Sequence, residues 1–165
     1  MFLSGSIMKR AAVAVVGCSL AAGAALAQSA SKPFAGMAGV WSGKGSIALA
    51  DGGKEAIRCR ATYAVRGDGH ALQQTLRCAS DSYKFELSSN VEANGGKLSG
   101  TWSEATRNIN GEVQGTTSGG RFQVVVSAGN FTADLVLTTR GNSQSVVIRS
   151  EGSEFRQATI NLVRV

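Results

Sequence analysis

The chain reads as all-β: a single antiparallel up-and-down β-barrel of about 8–10 strands, soluble, with its wet side outward. Three observations predict it. Ten short stretches between Gly39 and Val165 alternate apolar and polar residues with period two, glycine-bearing turns separate them, and no stretch holds a helical period.

The first strand, near residues 39 to 49, puts Trp41, Gly43, Gly45, Ile47 and Leu49 on one face, and Asp51-Gly52-Gly53 turns the chain. The second carries Ile57, Cys59, Ala61, Tyr63 and Val65 opposite Arg58, Arg60 and Arg66, and Gly67-Asp68-Gly69 reverses it. Leu72, Gln74, Leu76 and Cys78 form the apolar side of the third, opposite Gln73, Thr75 and Arg77. The fourth shows Tyr83, Phe85, Leu87 and Val91; the fifth Leu98, Gly100 and Trp102; the sixth Ile109, Gly111, Val113 and Gly115. Phe122 to Val126, Phe131 to Leu137 and Val146 to Ile148 give the next three, and Ala158, Ile160 and Leu162 give the last.

Every stretch has one polar face, and no amphipathic helix is available to cover the other. A single layer of about ten strands therefore buries its apolar side against itself, by closing into a barrel or folding into a sandwich, and consecutive hairpins favour the barrel. The outward positions include Lys44, Arg58, Arg60, Lys84, Glu86 and Glu112. Such a face excludes a lipid-spanning barrel, whose outer band must be apolar.

The first residues have the composition of an export signal. Lys9 and Arg10 precede an apolar run from Ala11 to Ala27 that ends in Ala25-Leu26-Ala27. Cleavage is expected near Ala27, with Met1 or Met8 as the start, residues 28–38 as a flexible lead-in, residues 39–165 as the barrel domain and no membrane span in the mature chain. Val15-Val16-Gly17-Cys18 offers the alternative of a lipoprotein anchored through Cys18. Either way the chain is expected in the bacterial envelope, periplasmic or secreted. Seventeen basic and eleven acidic residues give a formal charge of +6, about +4 once Lys9 and Arg10 leave with the signal, and the remaining basic residues are dispersed across the strands with acids between them, which argues against nucleic acid as a partner.

Cys59 and Cys78 are equidistant from the Asp68-Gly69 turn and share the apolar parity of their strands, so they are expected to face one another and form a disulfide inside the barrel. A two-residue loop would place the pair at a hydrogen-bonded position and a four-residue loop, 67 to 70, at a non-hydrogen-bonded one, where side chains come closest, which favours the longer loop. Closing a loop of this size contributes about 3 kcal/mol in the chain-entropy account. Two sulfurs without further ligands make no zinc site, and no metal or cofactor is expected.

Catalytic constellations are hard to assemble. The sole histidine, His70, falls beside a hairpin tip, which suits a solvated turn residue better than a catalytic base. Glu104 continues the inward parity of Leu98, Gly100 and Trp102 but has no obvious inward acidic partner, so it is read as a strand-end residue reaching water or pairing with Arg107, or as a ligand contact. Arg58, Arg60 and Arg77 cluster on the outer face, with Arg60 directly across from Arg77, an arrangement that an acidic partner or a neighbouring carboxylate would relieve. The inward aromatics line a pocket for an apolar ligand or simply fill the barrel; periodicity leaves both open.

Ala38-Gly39-Val40-Trp41, opening the first strand, resembles the Gly-x-Trp start of lipocalin-like (calycin) barrels, in which the tryptophan plugs the base. The resemblance implies a fold with a ligand-holding mouth. A similar start and single disulfide occur in small periplasmic protease inhibitors of lipocalin-like fold. The leading expectation is thus a non-enzymatic exported protein that binds a small apolar or amphipathic ligand, with Trp41, Tyr63, Tyr83, Phe85, Trp102 and Glu104 as ligand contacts. The alternative is a protein-binding module, inhibitor-like or an envelope assembly factor, meeting an envelope protein partner through Arg58, Arg60 and Arg77.

Overall fold

In the computed structural model, which describes residues 31–165, ten strands follow one another in a meander. They are β1 (Gly39–Leu49), β2 (Lys54–Arg66), β3 (Ala71–Ala79), β4 (Lys84–Asn94), β5 (Lys97–Glu104), β6 (Ile109–Ser118), β7 (Arg121–Ala128), β8 (Phe131–Arg140), β9 (Ser143–Glu151) and β10 (Phe155–Arg164). Each pairs antiparallel with its chain neighbours, and β1 pairs with β10 to close the barrel. The barrel that the consecutive hairpins favour over a sandwich is the one formed: its closing seam runs from Trp41 opposite Arg164 to Leu49 opposite Phe155. No helix among the described residues is long and apolar enough to cross a membrane. The export signal, Cys18 and the cleavage site near Ala27 lie outside the described residues.

The parity holds around the ring. Trp41, Ile47, Ile57, Ala61, Ile160 and Leu162 are buried, whereas Lys44, Arg58, Arg60, Lys84 and Glu112 on the alternate face are exposed. At Gly43 and Gly45 the seam is too tight for a side chain: a Cβ would lie 1.8 Å from the Asn161 carbonyl oxygen and 1.9 Å from that of Thr159. Missing side chains here let β1 coil sharply against β10.

Between β2 and β3 the chain reverses through four residues, 67–70, with Arg66 opposite Ala71. Gly67, Asp68 and Gly69 all have left-handed backbone, with φ of 58°, 54° and 94°. Two of the three are glycine, for which that conformation carries no steric penalty, and aspartate tolerates it. The loop length sets the register, so Cys59 lies directly opposite Cys78 with Cα atoms 4.2 Å apart, the spacing of a non-hydrogen-bonded pair, and the two are joined.

One end of the barrel, the base, is closed by the segment before β1. Phe34 and Met37 are buried to 1% and 2% exposure, and the Phe34 ring stacks on Phe122 with centroids 5.5 Å apart. The Phe34 amide donates to the Gly69 carbonyl at 3.1 Å, and the Met37 carbonyl accepts from Trp41 Nε1 at 2.8 Å. The stretch expected as a flexible lead-in therefore contributes Phe34 and Met37 to the packed core, because these two apolar side chains find the open end of a barrel to fill. Arg164 seals the outside of the base: its guanidinium lies 4.5 Å from the Trp41 ring centroid, donates to the carbonyls of Gly36 and Ala38, and reaches Asn142 Oδ1 at 3.1 Å.

Candidate functional site

Above that plug the barrel is hollow. The cavity measures about 610 Å³, within the range of small-molecule pockets. Phe34, Met37 and Phe122 form its floor, Phe85, Trp102 and Phe131 stand in its wall with aliphatic residues of β4 to β9, and Tyr83, Phe155 and Arg107 surround its opening. The wall aromatics are fixed by contact with one another and with backbone. Trp102 tilts against Phe131 at 5.8 Å and donates from Nε1 to the Ser127 carbonyl at 3.3 Å. Tyr83 meets Phe85 and Phe155 edge-on at 6.1 and 6.0 Å.

Of the ligand contacts expected from sequence, Tyr83, Phe85, Trp102 and Glu104 are brought together around this cavity. Trp41 and Tyr63 are not: they belong to the base, a correction to their place in the ligand wall. Trp41 is fully buried beneath Arg164, edge-on to Tyr63 at 6.3 Å. The Tyr63 hydroxyl donates to Gln144 Oε1 at 3.0 Å, and Gln144 Nε2 donates to Thr139 Oγ1 at 3.1 Å. Burial pushes the Tyr63 phenol well above its ordinary range, with the Gln144 hydrogen bond opposing. Alternation assigns a residue to the inner face but does not say at what height along the barrel axis the interior is filled.

Glu104 is buried at 6% exposure, with its carboxylate folded into the β5–β6 loop rather than reaching water. It accepts from the Glu86 amide at 3.0 Å, the Thr106 amide at 3.1 Å, the Thr106 hydroxyl at 2.5 Å and the Arg107 amide at 2.7 Å. Burial drives its pKa up, but the hydrogen bonds from Thr106 and from the Glu86, Thr106 and Arg107 amides together outweigh it, and the carboxyl is held below its usual value. Glu104 is thus ionised at neutral pH and fixes the loop that presents Arg107.

Arg107 crosses the opening. Its guanidinium lies 4.7 Å from the Tyr83 ring centroid, makes a 2.9 Å ion pair with Glu154 of the β9–β10 loop, lies 3.7 Å from Glu104 and donates to the Lys84 carbonyl at 3.4 Å. Three loops, β3–β4, β5–β6 and β9–β10, are tied by one side chain. Arg107 was legible only as a partner for Glu104; Glu154 and Phe155 carried no signal beyond their place next to a predicted turn.

The remaining candidates lie elsewhere. His70 is half-buried at the base, where its main-chain carbonyl accepts from the Ala93 amide at 2.8 Å. On the outer face Arg60 is indeed opposite Arg77, and Arg77 pairs across β3–β4 with Glu86 at 2.7 Å. Lys44 faces Arg58 in the next rung, so the cluster forms a basic patch beside the disulfide.

No family model matches the chain, and no curated protein does. Solved structures do. Rv2717c from M. tuberculosis superposes with a TM-score of 0.60 at 15% identity over 81% of this chain and 93% of that one. The S-type phycobiliprotein lyase CPES from Guillardia theta gives 0.54 at 11% identity over 80% and 90%. At such identities the likeness is one of fold, and the closed ten-strand meander with its tryptophan-plugged base is that of a lipocalin-like barrel.

Proposed function

We propose that this chain is an exported, non-catalytic binding protein that holds a small apolar or amphipathic molecule in the barrel. The observation that carries the reading is the cavity: about 610 Å³, apolar on its floor and over most of its wall, with polar groups at Gln74 and Ser89 and around its opening. Interiors of barrels that serve only as scaffolds are filled by side chains. Here the base is packed and the rest is not. One of the fold relatives is named a phycobiliprotein lyase, which is compatible with a barrel that takes a bulky ligand. The protein-binding alternative has less support, because Arg77 of its surface is already paired with Glu86.

A neutral environment-sensitive dye, Nile red, tests the reading. Saturable 1:1 binding with a rise in fluorescence is expected, and a folded Val126→Trp barrel, in which an indole occupies the cavity, should lose it. Absence of saturable binding to the native protein would overturn the proposal. For export, the protein recovered from its host should begin at Gln28; an intact amino terminus in the recovered protein would count against it.

A further inference from the structure

We infer that the cavity selects a non-anionic, largely apolar molecule bearing a hydrogen-bonding oxygen, with Gln74 and Ser89 reading that oxygen. The inference rests on the proposed ligand-binding reading and adds the chemical class. Gln74 of β3 and Ser89 of β4 are opposite each other in register, both project inward, and both line the cavity half-way along its wall. The only hydrogen bond that either side chain makes among the described residues is from Ser89 Oγ to Gln74 Oε1, at 3.5 Å, the outer limit for such a bond. The Gln74 amide nitrogen and the Ser89 hydroxyl therefore retain hydrogen-bonding capacity directed at the interior.

The base provides the contrast. There Tyr63, Gln144 and Thr139 satisfy one another in a closed chain, which is how polar groups are accommodated in a packed interior. Gln74 and Ser89 face an open space instead. An apolar ligand that covered them would leave them unpaired at a cost, whereas one carrying a carbonyl or hydroxyl oxygen at that height would be held by them. Discrimination of this kind comes from groups built to be paired.

The opening argues against an anionic ligand. Arg107 is flanked by Glu154 at 2.9 Å and Glu104 at 3.7 Å, so among the described residues the one cation lining the cavity is outnumbered by carboxylates. A ligand carboxylate would have to displace Glu154 and would still meet the charge of Glu104.

Displacement of Nile red by three probes of one ring system tests this: fluorene, 9-fluorenone and 9-fluorenecarboxylate. In the native protein the carboxylate should be at least about tenfold weaker than the ketone. The ratio of ketone to hydrocarbon affinity should fall about fivefold in Gln74→Leu/Ser89→Ala and by an intermediate factor in Ser89→Ala, with fluorene itself retained. An unchanged ratio in both variants, or a carboxylate that binds best, would overturn the inference while leaving the ligand-binding reading in place. Failure of all three probes and the dye to bind would remove both.

Discussion

Both ends of the barrel carry an arginine over an aromatic ring, and the two arrangements do opposite things. At the base, Arg164 lies on Trp41 and spends its hydrogen bonds on the main-chain carbonyls of Gly36 and Ala38, which hold the plug segment in place. At the opening, Arg107 lies on Tyr83 but pairs with Glu154, a side chain that is 71% exposed. Backbone carbonyls cannot swing away; an exposed glutamate can. The same cation–π contact is part of a fixed seal at one end and of a releasable bar at the other.

The sharpest way to break this contrast is at the base. Trp41→Ala should destabilise the fold by about 3–5 kcal/mol, as removal of a fully buried tryptophan does, and Arg164→Ala by about 1–3 kcal/mol, both measured by urea unfolding. A base variant that lost ligand binding without losing stability would show that the base is part of the site.

Glu104 ranks next. Glu104→Gln should cost about 1.5–3 kcal/mol at neutral pH, since the amide group cannot accept all the bonds the carboxylate accepts. The effect has a pH signature. The folded pKa lies below the unfolded value of about 4.3, so the stabilisation is fully present above the unfolded value and is lost as pH falls through the folded one. The stability difference between native protein and Glu104→Gln should therefore narrow below about pH 5. A constant difference down to pH 2 would mean that the carboxylate charge is not what holds the loop.

Smallest in stability is Arg107→Ala, expected within about 1 kcal/mol of the native protein because its ion pair with Glu154 is largely solvated. Its effect belongs to kinetics: the dye should enter and leave faster in stopped-flow mixing. A stability loss as large as that of Arg164→Ala would make the two ends equivalent after all.

How much of this was legible in the sequence follows from the range of each interaction. The strands, the inward cysteine pair and the four-residue loop between β2 and β3 depend on neighbours along one hairpin, and alternation plus Gly67-Asp68-Gly69 was enough to read them. Phe34 and Met37 looked like linker because their partners, Phe122 and Trp41, come from β7 and from the strand that follows them, and no local period marks a plug. Tyr83 was placed correctly on the inner side, although it belongs to the loop before β4 rather than to the strand. Ser89 shares the inward parity of Leu87 and Val91, yet as a serine it reads as an interruption of the apolar pattern. Its meaning depends on Gln74 opposite and on the hollow in front of both.

The seam between β1 and β10 bears on how the protein comes to be folded. Nine of its ten strand pairings are hairpins between chain neighbours, which can form early and locally, while the tenth joins the two ends of the sheet and must bring together the most distant parts of the sequence. Until it closes, β1 and β10 are both open sheet edges able to pair with other chains. The glycines at 43 and 45 lie on that seam, so bulk introduced there would act first on the last step of assembly and would show as aggregation during refolding.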